Sequence, residues 1–195
     1  MPPITVATPR VVDVRRLGLG DVCEIVPARF GDARGFFTES WSRSAMRDAG
    51  FDLDFVQDNH SYSAAAGVLR GLHYQLPPFA QDKLVRVTRG SAFDVAVDIR
   101  RGSPDFGRWV SVVLSADQGN QILIPRGYAH GFLTLEPDTE VQYKVTAPYD
   151  AGSDRAIRFD DPAIGIDWPM ASTALTLSDK DRAAPLLADA ELDGA

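Results

Sequence analysis

The sequence predicts a mainly β protein, an antiparallel sandwich or barrel with short peripheral helices. Short runs rich in β-branched residues recur through the middle of the chain, and each closes on a Gly, Pro, Asp or Asn turn. Runs and turns repeating every 8–12 residues or so are the mark of an antiparallel sandwich or barrel. The gaps between them are too short for the helical crossovers that parallel strands require.

Residues 1–10 show no pattern and read as a loose arm. Ser42 can cap a short helix over residues 43–49, which Gly50 can end. Strands are expected over residues 84–87, 93–99, 109–114, 121–124 and 140–146. Their closing turns are Arg89-Gly90, Gly102-Ser103-Pro104, residues 117–120, Pro125-Arg126-Gly127 and the segment at Pro148. A second helix is expected in the C-terminal stretch, with Pro185 near its start or breaking it. There is no internal repeat or low-complexity segment, so residues 1–195 are read as one domain.

The run over residues 93–99 alternates. Phe93, Val95, Val97 and Ile99 share one face, and Asp94, Ala96 and Asp98 the other. Two readings follow: a core face backed by a solvent face, or a barrel with a polar lumen into which Asp94 points.

With 45% hydrophobic and 24% charged residues, the chain can bury a sizeable core. No stretch approaches the roughly 20 apolar residues that span a bilayer. The start lacks a basic segment followed by an apolar run, so no secretion signal is expected. The single Cys23 cannot form an internal disulfide; a cytoplasmic setting follows, with Cys23 a strand residue rather than a nucleophile. The net charge of −7 argues against broad nucleic-acid binding. A small anionic ligand needs only a few local cations. Lys83, Lys144 and Lys180 are the only lysines among 20 basic residues. A lysine where arginine is the habit hints at a need for a compact point charge.

Polar residues are densest in Gln57-Asp58-Asn59-His60-Ser61, Leu69-Arg70-Gly71-Leu72-His73-Tyr74-Gln75 and Gln81-Asp82-Lys83. Two of the three histidines fall there; the third, His130, precedes Gly131 and is read as lying in a turn at a pocket rim. On residue type alone a lone strand histidine is more often structural than catalytic. Alternation places Arg70 and His73 on opposite strand faces, and they share a site only if Gly71 marks a bulge or bend. Alternation also places Tyr143 with Val141 and Val145, as core, and Asp181 reads as a helix N-cap ahead of Arg182.

These strings, with Asp32-Ala33-Arg34-Gly35-Phe36-Phe37-Thr38-Glu39, residues 124–132, Tyr143-Lys144, Asp161-Pro162 and residues 177–181, occur in order along most of the chain. The sequence resembles the dTDP-4-dehydrorhamnose 3,5-epimerase family, cupin-type jelly rolls acting on a dTDP-linked 4-keto-6-deoxy sugar. The resemblance implies His73 as the base, Asp181 as its carboxylate partner, Tyr143 as the general acid on the opposite face and Lys83 as the holder of the enolate oxygen. It also implies that Arg34, Glu39, Gln57, Asp58, Asn59, Arg70, His130, Tyr149, Asp154 and Lys180 contact the ligand. Glu39 suits the sugar or thymine better than the diphosphate. Phe30 and Phe37 either stack on the base or pack in the core. The sequence departs from the family pattern at Asp154, where glutamate is expected, and at Phe159, where tryptophan is expected.

Many cupins hold a metal through a His-x-His pair. Here Tyr74 and Gln75 follow His73, so no metal is expected. No Gly-rich dinucleotide fingerprint appears, so no nicotinamide cofactor is expected either. The resemblance further implies a homodimer. Two alternatives stay open: an enzyme that epimerises a single carbon, and a cupin that binds sugar nucleotides without turning them over.

Overall fold

The computed structural model describes residues 12–193; the arm expected over residues 1–10 lies outside them. In chain order the strands and helices are β1 (Val12–Arg16), β2 (Cys23–Pro27), β3 (Arg29–Asp32), β4 (Gly35–Thr38), α1 (Arg43–Asp48), β5 (Gln57–Ser63), β6 (Leu69–Gln75), β7 (Lys83–Arg89), β8 (Ser91–Asp98), β9 (Trp109–Ser115), β10 (Gln121–Ile124), β11 (Tyr128–Thr134), β12 (Thr139–Val145), β13 (Asp154–Ala156) and α2 (Asp179–Arg182). Two antiparallel sheets face each other. One has the order β1-β2-β10-β7-β12-β5, the other β13-β6-β11-β8-β9, and β3 and β4 form a separate hairpin. This is the jelly-roll arrangement the sequence led us to expect.

The interior between the sheets is apolar at one end. Val85, Val87, Ile122, Ile124 and Val141 of the six-stranded sheet meet Ala92, Ala96, Val112, Leu114, Tyr128 and Phe132 of the five-stranded one. Both outer faces are covered as well. Cys23, Ile25, Leu84 and Leu123 pack under α1 and its flanks through Met46, Trp41 and Phe55. Val95, Val97, Tyr74 and Ala129 pack under the C-terminal segment through Ile157, Ile164 and Leu187. Both faces of β8 are therefore buried. Its hydrophobic row meets the C-terminal layer, and Asp94 points into the lumen.

All five strands read from the sequence are present, with ends shifted by a few residues at most. Helix α1 is also where expected: the Ser42 side chain accepts from the Ala45 amide, and Ala49 closes the helix. Cys23 lies buried in β2, where burial raises its thiol pKa, consistent with a strand residue rather than a nucleophile. The C-terminal helix shrinks to the single turn α2, which stops before Pro185. Beyond it Leu187, Ala190 and Leu192 are buried against the sheet in turns.

The ladder between β6 and β11 carries the bulge that Arg70 and His73 require. His130 pairs with His73 and Phe132 with Arg70, so Gly71 and Leu72 together face Gly131. The extra residue returns Arg70 to the face that His73 occupies. Gly71 has φ of +135°, and a Cβ there would lie 2.5 Å from Gly131 Cα and 2.9 Å from the His130 carbonyl oxygen. Neither atom can swing aside, because both are backbone. Gly71→Ala should cost about 2–5 kcal/mol of stability from the disfavoured φ and the overlap together. Urea melting would register this as a lower midpoint at unchanged slope.

Candidate active site

A cavity of about 670 Å³ opens between the sheets at their polar end. That volume suits a small organic ligand. Period-two alternation explains most of its lining. On β5 Gln57, Asn59 and Ser61 face it, while Asp58, His60 and Tyr62 point away. On β12 Tyr143 continues the inward row of Val141, but it stands where the apolar interior gives way to the cavity. The placement of Tyr143 with the core row was therefore right about its face. The lining also includes Arg70 and His73 of β6, Lys83 of β7, His130 of β11, Tyr149, Asp154 of β13, and Ser178, Lys180 and Asp181 at α2.

His73 Nε2 lies 2.5 Å from Asp181 Oδ1. The second oxygen of Asp181 accepts from Ser178 Oγ at 2.8 Å, and Ser178 Oγ accepts from the Asp181 amide at 3.1 Å. Ser178, not Asp181, is thus the N-cap of α2. The cap clamps the buried carboxylate against the imidazole. Burial pushes the Asp181 pKa upward, but hydrogen bonds from His73 and Ser178, with Lys180 nearby, outweigh it and hold the carboxyl below its ordinary range. A carboxylate on one imidazole nitrogen fixes the tautomer and stabilises the imidazolium. The ring itself lines the cavity.

Lys83 enters from the facing sheet and is 8% exposed. Its Nζ donates to the His73 carbonyl at 3.2 Å. Burial lowers its pKa from 10.5 to about 8, against the pull of Asp154 and Asp94 in the other direction. Burial also raises the Tyr143 phenol, opposed by Arg70, so the phenol is a neutral donor at pH 7. At the mouth, Asp154 pairs with Lys180 and accepts from the Tyr149 hydroxyl at 3.3 Å. Gln57 holds the Tyr149 amide at 3.0 Å and donates to Asn59 at 2.8 Å.

Five expected ligand contacts lie elsewhere. Asp58 is on the outer face of β5, paired with Lys144 at 2.6 Å; the stretch of three polar residues concealed a strand, so only alternate members face inward. Phe30, Arg34 and Phe37 sit on the β3–β4 hairpin, with Glu39 just beyond it, and none lines the cavity. Arg34 is exposed and forks onto Asp32. Phe30 and Phe37 are 55% and 70% exposed, which removes the core reading. His130 is not in a turn but in the middle of β11, 7% exposed. Phe159 packs with Leu69 and Leu133 outside the cavity, so its departure from tryptophan leaves the site alone. Ser61 and Ser178 were missed. Alternation from Asn59 would have found the first, and the spacing Ser178-x-x-Asp181 at a helix start the second. Among the described residues, no group of three or more His, Cys, Asp or Glu side chains is placed to hold a metal ion.

The sequence profile of the dTDP-4-dehydrorhamnose 3,5-epimerase family matches residues 16–189. The dTDP-4-dehydrorhamnose 3,5-epimerase of Sinorhizobium fredii is 53% identical over 173 residues, covering 89% of this chain and 88% of its own. Among solved structures, an enzyme of that name from Bacillus anthracis, with TDP and PPi bound, superposes with a TM-score of 0.87. It is 47% identical and covers 90% of this chain and 99% of its own. A dTDP-6-deoxy-D-glucose-3,5-epimerase from Legionella pneumophila, in complex with dTDP-4-keto-L-rhamnose, superposes with a TM-score of 0.86. It is 45% identical and covers 91% of this chain and 93% of its own.

Proposed function

Because the chain belongs to the dTDP-4-dehydrorhamnose 3,5-epimerase family, we propose that it inverts C3 and C5 of dTDP-4-dehydro-6-deoxy-D-glucose, giving dTDP-4-dehydro-L-rhamnose. One observation carries the reading. A His–Asp dyad and a neutral phenol enter one cavity from opposing sheets, with a buried ammonium beside them. The C4 ketone acidifies the hydrogens on C3 and C5. Nδ1 of His73 takes one of them, and the C–H electrons move into the ring to leave an enolate on the C4 oxygen. Lys83 holds that oxygen as charge develops, an electrostatic stabilisation of the oxyanion-hole type. Tyr143 returns a proton to the opposite face of the carbon, and solvent restores both side chains. The second carbon repeats the sequence.

Lys180, Tyr149 and Arg70 at the mouth suit the diphosphate and the thymine. Asp154 is already engaged with Lys180, so its role is to place that ammonium rather than to touch the ligand. The hairpin residues Phe30, Phe37 and Arg34, with Glu39, are exposed and outside their own cavity. We therefore assign them to the nucleotide end of a second copy's cavity, within a homodimer. The single buried thiol favours a cytoplasmic setting, and residues 1–195 act as one domain. Incubation with dTDP-4-keto-6-deoxy-D-glucose should give the L-configured 4-keto sugar by NMR; an unchanged substrate would sink the enzyme reading. Light scattering should return twice the chain mass, and the monomer mass would remove the dimer.

A further inference from the structure

Residues 147–150 lie between β12 and β13 and belong to no strand or helix. Among the described residues, Ala147, Pro148 and Tyr149 make no backbone–backbone hydrogen bond. Glutamine side chains take the place of a ladder. Gln81 Nε2 donates to the Ala147 carbonyl at 2.8 Å, and Gln75 Nε2 to the Pro148 carbonyl at 3.1 Å. Gln57 Oε1 accepts from the Tyr149 amide at 3.0 Å, and Gln75 Oε1 from the Asp150 amide at 2.8 Å. Gln75 is the centre of this cradle. It ends β6, is 8% exposed, and its Nε2 also donates to the Phe79 carbonyl at 2.7 Å. A primary amide has two N–H donors and one oxygen. Both donors of Gln75 are spent within the protein, and its oxygen is taken by Asp150. Although Gln75 lines the cavity, its amide serves residues 147–150 rather than a ligand. What the cradle holds is Tyr149. Its exposed ring stands at the cavity mouth, and its hydroxyl meets the carboxylate of Asp154, which also pairs with Lys180. Without the cradle this segment would sample many positions, and a ligand would bear the cost of ordering it.

We propose that Gln75 is a positioning residue for nucleotide binding: by clamping the backbone on both sides of Tyr149, it holds that ring at the mouth as a preformed platform for the nucleobase. The inference rests on the placement of the nucleotide at the mouth and deepens it. Gln75 takes no part in proton transfer. When a competent placement becomes a minor state, apparent affinity falls by the fraction lost. Chemistry on substrate already bound is spared.

The test is a double-mutant cycle in Gln75→Met and Tyr149→Ala, read by calorimetric titration with dTDP and by kcat and KM. Methionine keeps the length of the side chain and removes its amide. Gln75→Met should weaken dTDP binding and raise KM about 10–100-fold, the range for losing one aromatic stacked on a base. Its kcat should fall less than about 3-fold, because only uniform binding is lost. Added to Tyr149→Ala, Gln75→Met should cost less than about 2-fold further, because it acts through that ring. Effects that multiply, wild-type affinity in either single variant, or a loss confined to kcat would overturn the proposal. Should Gln75→Met fail to fold, amide hydrogen exchange of the wild-type protein decides. The Tyr149 and Asp150 amides should exchange at least about 100-fold slower than in an open chain, and exchange at the open-chain rate would overturn it. Because dTDP affinity is read without turnover, a wild type that takes up no deuterium at C3 or C5 would remove the epimerase reading, while the titration still decides this one.

Discussion

His73→Ala is expected to stop deuterium uptake at both C3 and C5 while leaving dTDP affinity nearly unchanged. The loss should be about 10²–10⁴-fold, the range for removing a positioned general base. Both carbons should fall together, because one base, the His73 imidazole of the Asp181 dyad, is proposed for both. Nucleotide binding should survive, since Lys180, Tyr149 and Arg70 line the cavity independently of His73. Calorimetric titration with dTDP and NMR exchange on the same sample separate the two effects. Parallel loss of both would make His73 a structural residue, the reading that residue type alone favours.

Lys83→Met should lower kcat about 10²–10³-fold, the usual cost of deleting one oxyanion donor. Methionine fills a similar volume without the charge, which burial disfavours at this position. A melting temperature equal to or above wild type, with kcat lost, identifies a group kept for chemistry rather than for the fold. The pH dependence carries the same signature. Burial lowers the folded-state pKa of Lys83 to about 8 from 10.5. The free enzyme therefore loses its ammonium as pH rises through about 8, and kcat/KM should decline above that point. Stability moves the other way. Between about pH 8 and 10.5 the unfolded chain holds a proton the folded chain has released, so unfolding becomes harder as pH rises. Burial raises the Tyr143 phenol above its ordinary value, so it does not produce this limb. Lys83→Met should flatten both trends.

Much of the fold was legible because strand and turn chemistry agreed locally. The five β-branched runs and the Ser42-capped helix formed where residue type placed them. The polar strand β5 was hidden, since Gln57-Asp58-Asn59-His60-Ser61 carries little strand preference and is held in the sheet by pairing with β12. Resemblance implied a ligand contact for Asp58, and the alternation of this strand puts it on the outer face instead, paired with Lys144. The cavity-facing side of β6 could be read only conditionally: period two separates Arg70 from His73, and the bulge at Gly71 rejoins them. Tyr143 shows the opposite limit. Alternation found its face, but where the interior turns from apolar to open depends on how two sheets diverge. Asp181 reads locally as a cap, and only its approach to a histidine 108 residues away gives it another role. On the hairpin, resemblance implied a ligand contact for Arg34, while Phe30 and Phe37 were open between base stacking and core packing; all three lie outside their own cavity, and both phenylalanines are exposed.

The central claim is that one base and one acid, facing each other across this cavity, work at both carbons beside the ketone. The most direct measurement is deuterium incorporation into dTDP-4-keto-6-deoxy-D-glucose in heavy water, read carbon by carbon. Label at C3 and at C5, both lost in His73→Ala, is the predicted result. Label at one carbon alone would contradict the double epimerisation, and label at neither would contradict proton abstraction altogether.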